Sequence, residues 1–364
     1  MLAPQRRALL LEHLQDKGSI KVAELTSLLG VSDFTVRRDI DELVRAGLAE
    51  RFHGGVTLPT QRSAPARGPA AGQVLRFGVL LPDSGYFRDV LGGIAQAADV
   101  MGAQQALVLS HYDAEQDLAM IDTLIRDKVD GLLLVSPADL EGRARYAQRL
   151  RTLPIPAVLI ERRLDDDVLL DRLDHVISDH EAGGRMAAEH FAALGHRRLA
   201  FVTRRISPTR GRAQAGFKHA ARALGLEEEV AVFEVPSLHP PVADADREMA
   251  ATVAALREQG ITAALIHGDA EAVMISQLAQ SAKVRVPQDL AIIAYDDDIA
   301  AFAGVPLSAV APAKLDLGAI AAELLARRIR RGPASPVCHI SLHPRIVVRD
   351  SCGANRRRPR SPIG

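Results

Sequence analysis

The sequence has no tryptophan, only two cysteines, few aromatic residues and no net charge. The cysteines, Cys338 and Cys352, are too few for a disulfide framework or a cysteine-based metal site. Because 45 basic side chains are balanced by 45 acidic ones, no overall field attracts the chain to nucleic acid or to a membrane. Any binding of DNA must therefore depend on a local arrangement of charges.

Long apolar runs are also missing from the N-terminus. Residues 8–11 form an apolar run of four residues that is followed by charged ones, which is neither a signal peptide nor a membrane span. We therefore expect a cytoplasmic protein that makes no contact with a membrane.

The motifs of phosphate loops, serine hydrolases, zinc proteases and dithiol redox sites are absent as well. We expect neither catalysis nor a cofactor. Four histidines fall within 22 residues of one another, but their spacings place them on a strand, at a helix start, on a helix and in a turn. Ordinary structural roles are therefore favoured over a metal site for His175, His180, His190 and His196.

The 364 residues are enough for two or three cores, and their composition is that of a globular protein. Residues 59–74 are rich in proline, alanine, glycine and arginine and show no apolar period, which indicates a linker. We predict a winged helix-turn-helix domain over 1–58, a ligand domain over 75–353 and a basic, disordered tail over 354–364.

After the linker, short aliphatic or β-branched runs alternate with helical stretches. This alternation is typical of βαβ units with parallel sheets that are buried on both faces. Nine such runs exceed one comfortable sheet, so we predict an α/β fold of two Rossmann-like lobes. The runs are RFGVLL, ALVLS, GLLLVS, AVLIE, HVISD, RRLAFVT, AVFEV, AALIH and LAIIAY.

Before the linker, three helices and a hairpin are predicted. An amphipathic helix over 5–15 precedes a short second helix over 22–29, and Gly30 supplies the turn that follows. Ser32 is a natural N-cap for a third helix of about 14 residues. A short helix, a turn and a second helix with arginines near its start have helix-turn-helix geometry, and the later hairpin is the wing.

The third helix must bury one face and expose the other. Its apolar residues repeat at helical spacing, and the polar residues and Phe34 are left outside. Exposed arginines are suited to binding guanine edges and phosphates. The structural alternative is an ion pair on a solvated helix face, in which Asp39 orients an arginine. The inward residues are Val36, Ile40, Leu43 and Val44.

This region closely resembles the DeoR family over about 50 residues. The family's signature is a Val-Ser-x-x-Thr-Ile-Arg-Arg-Asp-Leu helix followed by Gly-Leu and an Arg-x-His-Gly-Gly wing. The matching residues here are Val31, Ser32, Thr35, Val36, Arg37, Arg38, Asp39, Ile40, Gly47, Leu48, Arg51, His53, Gly54 and Gly55.

We predict that this domain binds double-stranded operator DNA. Residues 1–62 carry nine basic and eight acidic side chains, so one module offers few phosphate contacts, which favours a homodimer. The candidate DNA-contacting residues are Lys21, Ser32, Phe34, Thr35, Arg37, Arg38, Arg51 and His53.

The segment over 75–353 resembles the effector domain of the LacI/GalR family, which has the type I periplasmic-binding-protein fold. Familiar DeoR proteins carry a sugar-phosphate-isomerase-like domain instead, and nothing here supports one. The resemblance lies in segments that follow in family order. They include FGVLLPDSGYFRDVLGGI, DGLLLVS, SDHEAGGRMAAEHFAALGHRRLAFV, RAQAGFKHAARALG, HGDAEAV, VPQDLAIIAYDDD, PLSAVAPAKLDLGAIAAELL and RIVVRDSCG.

In such folds ligands bind in the crevice at the carboxyl ends of the strands. Carboxylates there suit the hydroxyls of a sugar and aromatic rings suit its face, whereas helix capping is the structural alternative for the aspartates. The resemblance implies that Asp296 binds the ligand. The candidate ligand-binding residues are Asp83, Tyr86, Phe87, Asp179, Arg212, Asp269 and Asp296.

Two departures from the LacI/GalR pattern affect this crevice. The family's arginine before the Gly-Phe of the sixth helix is replaced by Ala213, with Arg212 one place earlier, and its Asn-Asp pair becomes Gly268-Asp269. The hinge helix of that family is also absent. The exact sugar therefore cannot be inherited from the family, and DNA reading should depend on the winged domain alone.

The sequence thus predicts a ligand-responsive transcription regulator that represses carbohydrate-utilisation genes and is switched by a sugar-like molecule. A nucleoside-like or purine-like effector is the alternative within this class. A solute-binding component of a transporter is disfavoured by the helix-turn-helix and by the missing signal peptide. An enzyme on a Rossmann-like scaffold is disfavoured because no nucleophile, metal set or phosphate loop is found.

Overall fold

A computed structural model describes residues 6, 7, 9, 10, 13, 14, 17–45, 49–52, 55–57, 74–111, 113–136, 140–162, 173–226, 230–238 and 243–357. The chain divides into two compact units, Met1–Ala66 and Arg67–Gly364. The division falls inside the segment that the sequence predicts as a linker.

The N-terminal unit contains helices and a small antiparallel sheet. The described residues between 6 and 17 are helical. They are followed by β1 (Ser19–Lys21), α1 (Val22–Leu29), α2 (Asp33–Arg45), β2 (Glu50–Phe52) and β3 (Gly55–Thr57).

Strand β1 is an addition to the predicted two-stranded wing. The sheet order is β1-β3-β2, and Ile20 lies opposite Val56 with both side chains buried. Three residues are too few for a periodic pattern, so the strand exists because β3 offers it an edge. The wing is thereby attached to the rest of the unit.

Apolar faces of all these elements form one core. Leu10 and Leu14 of the first helical segment meet Leu25 of α1, and Val36 and Ile40 of α2 lie among them. This confirms the predicted inward face of the third helix. Since helices this short are marginal in isolation, packing on the shared core holds them in place.

The C-terminal unit alternates strands and helices along the chain. In order these are β4 (Arg76–Pro82), α3 (Gly85–Met101), β5 (Gln104–Ser110), α4 (Ala114–Arg126), β6 (Gly131–Leu134), α5 (Leu140–Arg151), β7 (Ala157–Ile160), β8 (Asp174–Ser178), α6 (His180–Ala193), β9 (Leu199–Arg204), α7 (Arg210–Ala223), β10 (Ala231–Val235), α8 (Ala245–Glu258), β11 (Ala263–His267), α9 (Asp269–Ser281), β12 (Ala291–Tyr295), β13 (Ser308–Ala311), α10 (Lys314–Arg331), β14 (His339–Leu342) and β15 (Arg345–Val347).

Two six-stranded sheets define two lobes. The first has the parallel order β14-β8-β7-β6-β4-β5, and the second has the order β10-β9-β11-β12-β13-β15, in which only β15 is antiparallel. All nine predicted runs are strands. The sequence analysis did not predict β13, β14 and β15. The last two, β14 and β15, are short and partly exposed and lack a continuous apolar run.

The chain passes between the lobes more than once. Helix α10 packs on α3 in the first lobe although it follows β13 of the second, and β15 returns to the second lobe. Helix α6 packs against α7 in the second lobe. These helix pairs touch so closely that a Cβ at Gly184 would lie 1.9 Å from the carbonyl oxygen of Ala213.

The C-terminal end of this unit differs from the prediction. Residues 354–357 form a 3-10 turn, so the disorder predicted from residue 354 is wrong for these four residues. They follow the turn Asp350–Cys352, in which Ser351 and Cys352 are buried and hold this end of the chain against the second lobe. Among the described residues, no helix is long and apolar enough to cross a membrane.

Candidate DNA-binding face and effector crevice

The outward face of α2 presents the predicted DNA-contacting side chains. The Ser32 hydroxyl accepts the Thr35 N–H at 3.3 Å, which begins the helix as predicted. Phe34 is 77% exposed, and Arg37 and Arg38 are also exposed. An exposed aromatic ring beside two arginines at a helix start is poorly suited to a role in folding and well suited to a groove of DNA.

The arginines on and beside this face differ in their ion-pair and hydrogen-bond partners. Arg37 pairs with Asp33 one turn earlier at 2.9 Å, whereas Arg38 makes no hydrogen bond or ion pair with any described residue. Arg51 of the wing pairs with Asp41 at 2.6 Å and donates to the Arg37 carbonyl at 3.2 Å. The wing and the helix therefore present their guanidinium groups together, with Arg38 free of protein partners in the described part of the unit.

Asp39 has a structural role. It is 4% exposed and accepts a hydrogen bond from Arg6 Nε at 2.5 Å, with Arg7 Nε 3.8 Å away. A buried carboxylate needs such partners because leaving it unpaired would cost several kcal/mol. Asp39 thus joins α2 to the first helical segment. Asp39 therefore orients an arginine, as in the structural alternative, but that arginine lies outside α2.

The remaining DNA candidates are placed as follows. Lys21 is exposed at the end of β1, next to the start of α1. His53 lies outside the described residues, as do Gly47, Leu48 and Gly54 of the DeoR-like signature.

In the C-terminal unit, carboxyl ends of strands from both lobes bring polar side chains together in a crevice. The centre of this cluster is Glu161, which follows β7. It accepts hydrogen bonds from the Tyr86 hydroxyl at 2.8 Å and from the backbone and side chain of Ser178 at 3.1 and 3.0 Å. Across the crevice, His180 Nε2 lies 2.9 Å from the same carboxylate. These contacts connect the first lobe to the start of α6.

The buried contacts continue into the second lobe. His180 Nδ1 lies 3.0 Å from the Tyr295 hydroxyl, and the ring of Tyr295 lies 5.0 Å from that of His267. His267 in turn lies 3.2 Å from the Thr209 hydroxyl. A chain of polar groups therefore extends from the first lobe to the end of β11.

Burial and hydrogen bonding shift the protonation equilibria of these groups. Burial raises the pKa of Glu161, but hydrogen bonding to His180, Tyr86 and Ser178 outweighs it and leaves this pKa below its ordinary value. Burial, together with the nearby charge of Arg204, holds the pKa of His267 well below its ordinary value. The cluster thus contains a carboxylate and a neutral imidazole near neutral pH.

Asp296 faces this cluster from the end of β12. Its φ of 101° is rare for a residue with a side chain, and its backbone N–H donates to the Val310 carbonyl at 3.0 Å. The carboxylate is partly exposed and makes no hydrogen bond to the described residues. Burial raises its pKa to about 7. It is therefore a poorly solvated acceptor that is available to a ligand, and it is not a helix cap.

Asp269 and Asp179 both accept backbone N–H groups, but from different elements. The Asp269 carboxylate accepts backbone N–H groups at 2.6–3.3 Å from four consecutive residues, 297–300, and so orders the loop after Asp296. Asp179 accepts the Ala182 N–H at 2.8 Å with one oxygen and thereby caps the start of α6. The capping alternative therefore describes the contact of Asp179, and the Asp269 carboxylate is filled by a loop.

The other ligand candidates are scattered. Asp83 is exposed after β4, and Tyr86 lies in the cluster with Lys314 Nζ 5.2 Å from its ring. Phe87 is 5% exposed and packs in the core of the first lobe, with the guanidinium carbon of Arg162 5.9 Å from the centre of its ring. Arg212 is partly buried in the first turn of α7.

Sequence reasoning missed Glu161, Ser178 and Arg204 as crevice residues. Each of them ends or directly follows a buried strand, which is the signal that selected Asp83 and Asp296. His180 was assigned an ordinary structural role, because its contacts join it to Glu161 in another element and to Tyr295, which is 115 positions away.

Comparison with known proteins agrees with this division of the chain. Residues 6–62 match the model of the DeoR-like helix-turn-helix domain, and residues 188–352 match the periplasmic binding protein-like domain. The chain joins these two domains. The predicted fold class, a helix-turn-helix domain followed by two parallel-sheet lobes, is thereby confirmed.

Similar proteins include the ribose operon repressor of Escherichia coli (strain K12), with 27% identity over 341 residues, 90% of this chain and 98% of that repressor. Among solved structures, the complex of the transcriptional regulator CelR with cellobiose has a TM-score of 0.64 at 21% identity, covering 88% of this chain and 90% of that one. A LacI family regulator from Enterococcus faecium with bound ribose has a TM-score of 0.61 at 22% identity, covering 76% and 98%. The prediction of a ligand-responsive transcription regulator is confirmed at this level.

Proposed function

We propose that this protein is a repressor of carbohydrate-utilisation genes whose affinity for operator DNA is controlled by a neutral sugar. The crevice is the observation that carries the proposal. Glu161 of the first lobe and His180 of the second meet at 2.9 Å, and beside them Asp296 offers an unoccupied acceptor. A sugar satisfies such groups because each of its hydroxyls both donates and accepts hydrogen bonds.

The switch follows from the two-lobed design. A sugar bound between the lobes changes how the carboxyl ends of the two sheets approach each other, and the bound form is favoured by the difference in affinity between the two arrangements. The protein acts as a homodimer that places two recognition helices on two half-sites, so a change in the ligand domains alters the spacing of those helices. The proposal includes no chemical step, and the protein acts as a binding protein only.

The likeness to the E. coli ribose operon repressor and to a ribose-bound regulator supports a pentose as the first effector to test. Fluorescence anisotropy of the full chain on DNA from upstream of its own gene should show sequence-specific binding. D-ribose, L-arabinose, cellobiose or adenosine is then added, with a shuffled DNA of equal length as control.

One of the sugars should change the operator affinity by roughly 5- to 150-fold, the usual range of coupling between two sites. A response to adenosine alone would show that the effector is nucleoside-like and not a sugar. Equal affinity for the operator and the shuffled DNA would contradict the proposal that the protein is a sequence-specific regulator.

A further inference from the structure

Arg204, the last residue of β9, has a guanidinium group without a protein partner. Its Nε is buried and unpaired, and the side chain makes no hydrogen bond or ion pair with the described part of the chain. Its neighbours differ, because Arg205 pairs with Glu248 and Arg210 pairs with Glu234 at 2.7 Å. A buried guanidinium N–H without a hydrogen-bond acceptor is costly, which indicates an acceptor that comes from outside the protein.

The position of this guanidinium is in the crevice. Arg204 directly follows Thr203, which lies opposite His267 in the pairing of β9 with β11, and the charge of Arg204 lowers the pKa of both His267 and Asp296. A Cβ built on Gly268 would lie 3.5 Å from Arg204 Nε and 2.2 Å from a carboxylate oxygen of Glu271. Gly268, with a φ of 125°, therefore lies next to the guanidinium, and a side chain there would collide with the Glu271 carboxylate.

The other charges nearby are already occupied by protein groups. Lys314 pairs with Asp298, Glu161 is bound by His180, and the Asp269 carboxylate is filled by backbone N–H groups. The buried Glu271 carboxylate accepts the Leu238 N–H at 3.1 Å. The guanidinium of Arg204 and the carboxylate of Asp296 thus remain as one free donor and one free acceptor. Adjacent hydroxyls of a sugar match this pair, since one accepts from the guanidinium while its neighbour donates to the carboxylate.

The position at which the LacI/GalR resemblance leads us to expect an arginine cannot supply this donor. Ala213 is fully buried at the contact between α6 and α7, where its carbonyl oxygen meets Gly184. The methyl side chain of Ala213 carries no hydrogen-bond donor. The end of β9 reaches the crevice with the guanidinium of Arg204.

We propose that Arg204 is an effector-binding residue that, together with Asp296, binds two adjacent hydroxyls of the sugar and so takes the place of the arginine missing at position 213. The assignment rests on the proposed sugar effector. It makes Arg204 a determinant of specificity, because a sugar that lacks one of the two hydroxyls leaves a charged group unpaired.

The test compares Arg204→Met with Arg205→Met in the full chain. Methionine keeps the aliphatic length of arginine and removes its charge, and Arg205 is the adjacent arginine with an exposed protein partner. Titration calorimetry with D-ribose, L-arabinose and cellobiose should show the affinity of the responding sugar falling roughly 10- to 100-fold in Arg204→Met. In Arg205→Met it should stay within twofold of the wild type.

A second measurement needs no ligand. Thermal unfolding of the sugar-free chain should give Arg204→Met a midpoint equal to or above that of the wild type, because the substitution breaks no side-chain hydrogen bond or ion pair with the described residues and removes a buried N–H that has no acceptor. Arg328→Met, which breaks the bidentate pair with buried Asp174 at 2.7 Å, should lower the midpoint.

An Arg204→Met midpoint as low as that of Arg328→Met would overturn the assignment, as would unchanged affinity for the responding sugar. If the wild type responds to none of the sugars, the proposed effector class fails. The thermal measurement then still decides whether Arg204 has a structural role.

Discussion

Replacing Asp296 by asparagine tests whether the crevice disfavours the ionised form of this carboxylate. Burial is the main cause that raises the pKa of this group from 3.8 to about 7, and the carboxylates of Asp269 and Asp298 add to it while Arg204 opposes it. The folded-state pKa therefore lies above the unfolded one. The stabilisation that the bound proton provides is complete below pH 3.8 and is lost as the pH rises through about 7.

The size of the effect follows from that shift. About three pKa units at about 1.4 kcal/mol each correspond to at most about 4 kcal/mol of unfolding free energy, and to less where water reaches the partly exposed carboxylate. Asparagine keeps the shape of aspartate, tolerates a positive φ better than most residues and does not ionise. We therefore expect Asp296→Asn to be more stable than the wild type at about pH 8 and nearly equal to it at about pH 4.

Thermal unfolding of the sugar-free chain over this pH range measures the difference. Asp297→Asn is the matched control, since the neighbouring Asp297 pairs with Arg349 at 2.6 Å and its loss should destabilise the chain at about pH 8. Asp296→Asn should also bind operator DNA normally and respond to sugar much more weakly, because the amide keeps only one acceptor oxygen and carries no charge. An unchanged pH dependence of the midpoint, relative to the wild type, would refute the argument.

Three further predictions concern other parts of the chain. Arg38→Ala should weaken operator binding by about 1–3 kcal/mol in fluorescence anisotropy while sugar-induced thermal shifts persist, and undiminished affinity would remove Arg38 from the interface. Gly184→Ala should destabilise the second lobe by about 1–3 kcal/mol in chemical unfolding, because the new methyl group meets the Ala213 carbonyl; a neutral substitution would show that α6 and α7 can separate. Residues 1–62 alone should bind operator far more weakly than the full chain, and a monomeric full chain with full affinity in light scattering would rule out the proposed dimer.

Much of the fold could be read from the sequence because its signals are local. Buried parallel strands need unbroken apolar runs such as LAIIAY, and every run of this kind became a strand. The spacing of Val36, Ile40 and Leu43 likewise fixes the inward face of α2. Strands that depend on a neighbour, such as β1 and β14, have no such signal because an existing edge induces them.

The crevice shows the corresponding limit for function. The sequence indicated the edge on which polar residues should lie, since carboxyl ends of parallel strands meet there, and Asp296 was selected on that basis. Strand-end position alone could not distinguish Asp296 from Asp179, because both follow a strand and precede a helix or turn; the LacI/GalR resemblance was what favoured Asp296. The backbone N–H groups around each carboxylate decide whether it is a cap or a free acceptor.

The sequence by itself therefore determined the classes of structure, namely a helix-turn-helix domain, two parallel-sheet lobes and a ligand crevice between them, because periodicity and turn residues act over short stretches of chain. Only the tertiary structure decided which charges are paired. Glu161 meets His180, Asp39 meets Arg6, and Arg204 is left without a described partner. Pairing depends on distances between residues that are far apart in the chain, and these are set by how the helices and sheets pack.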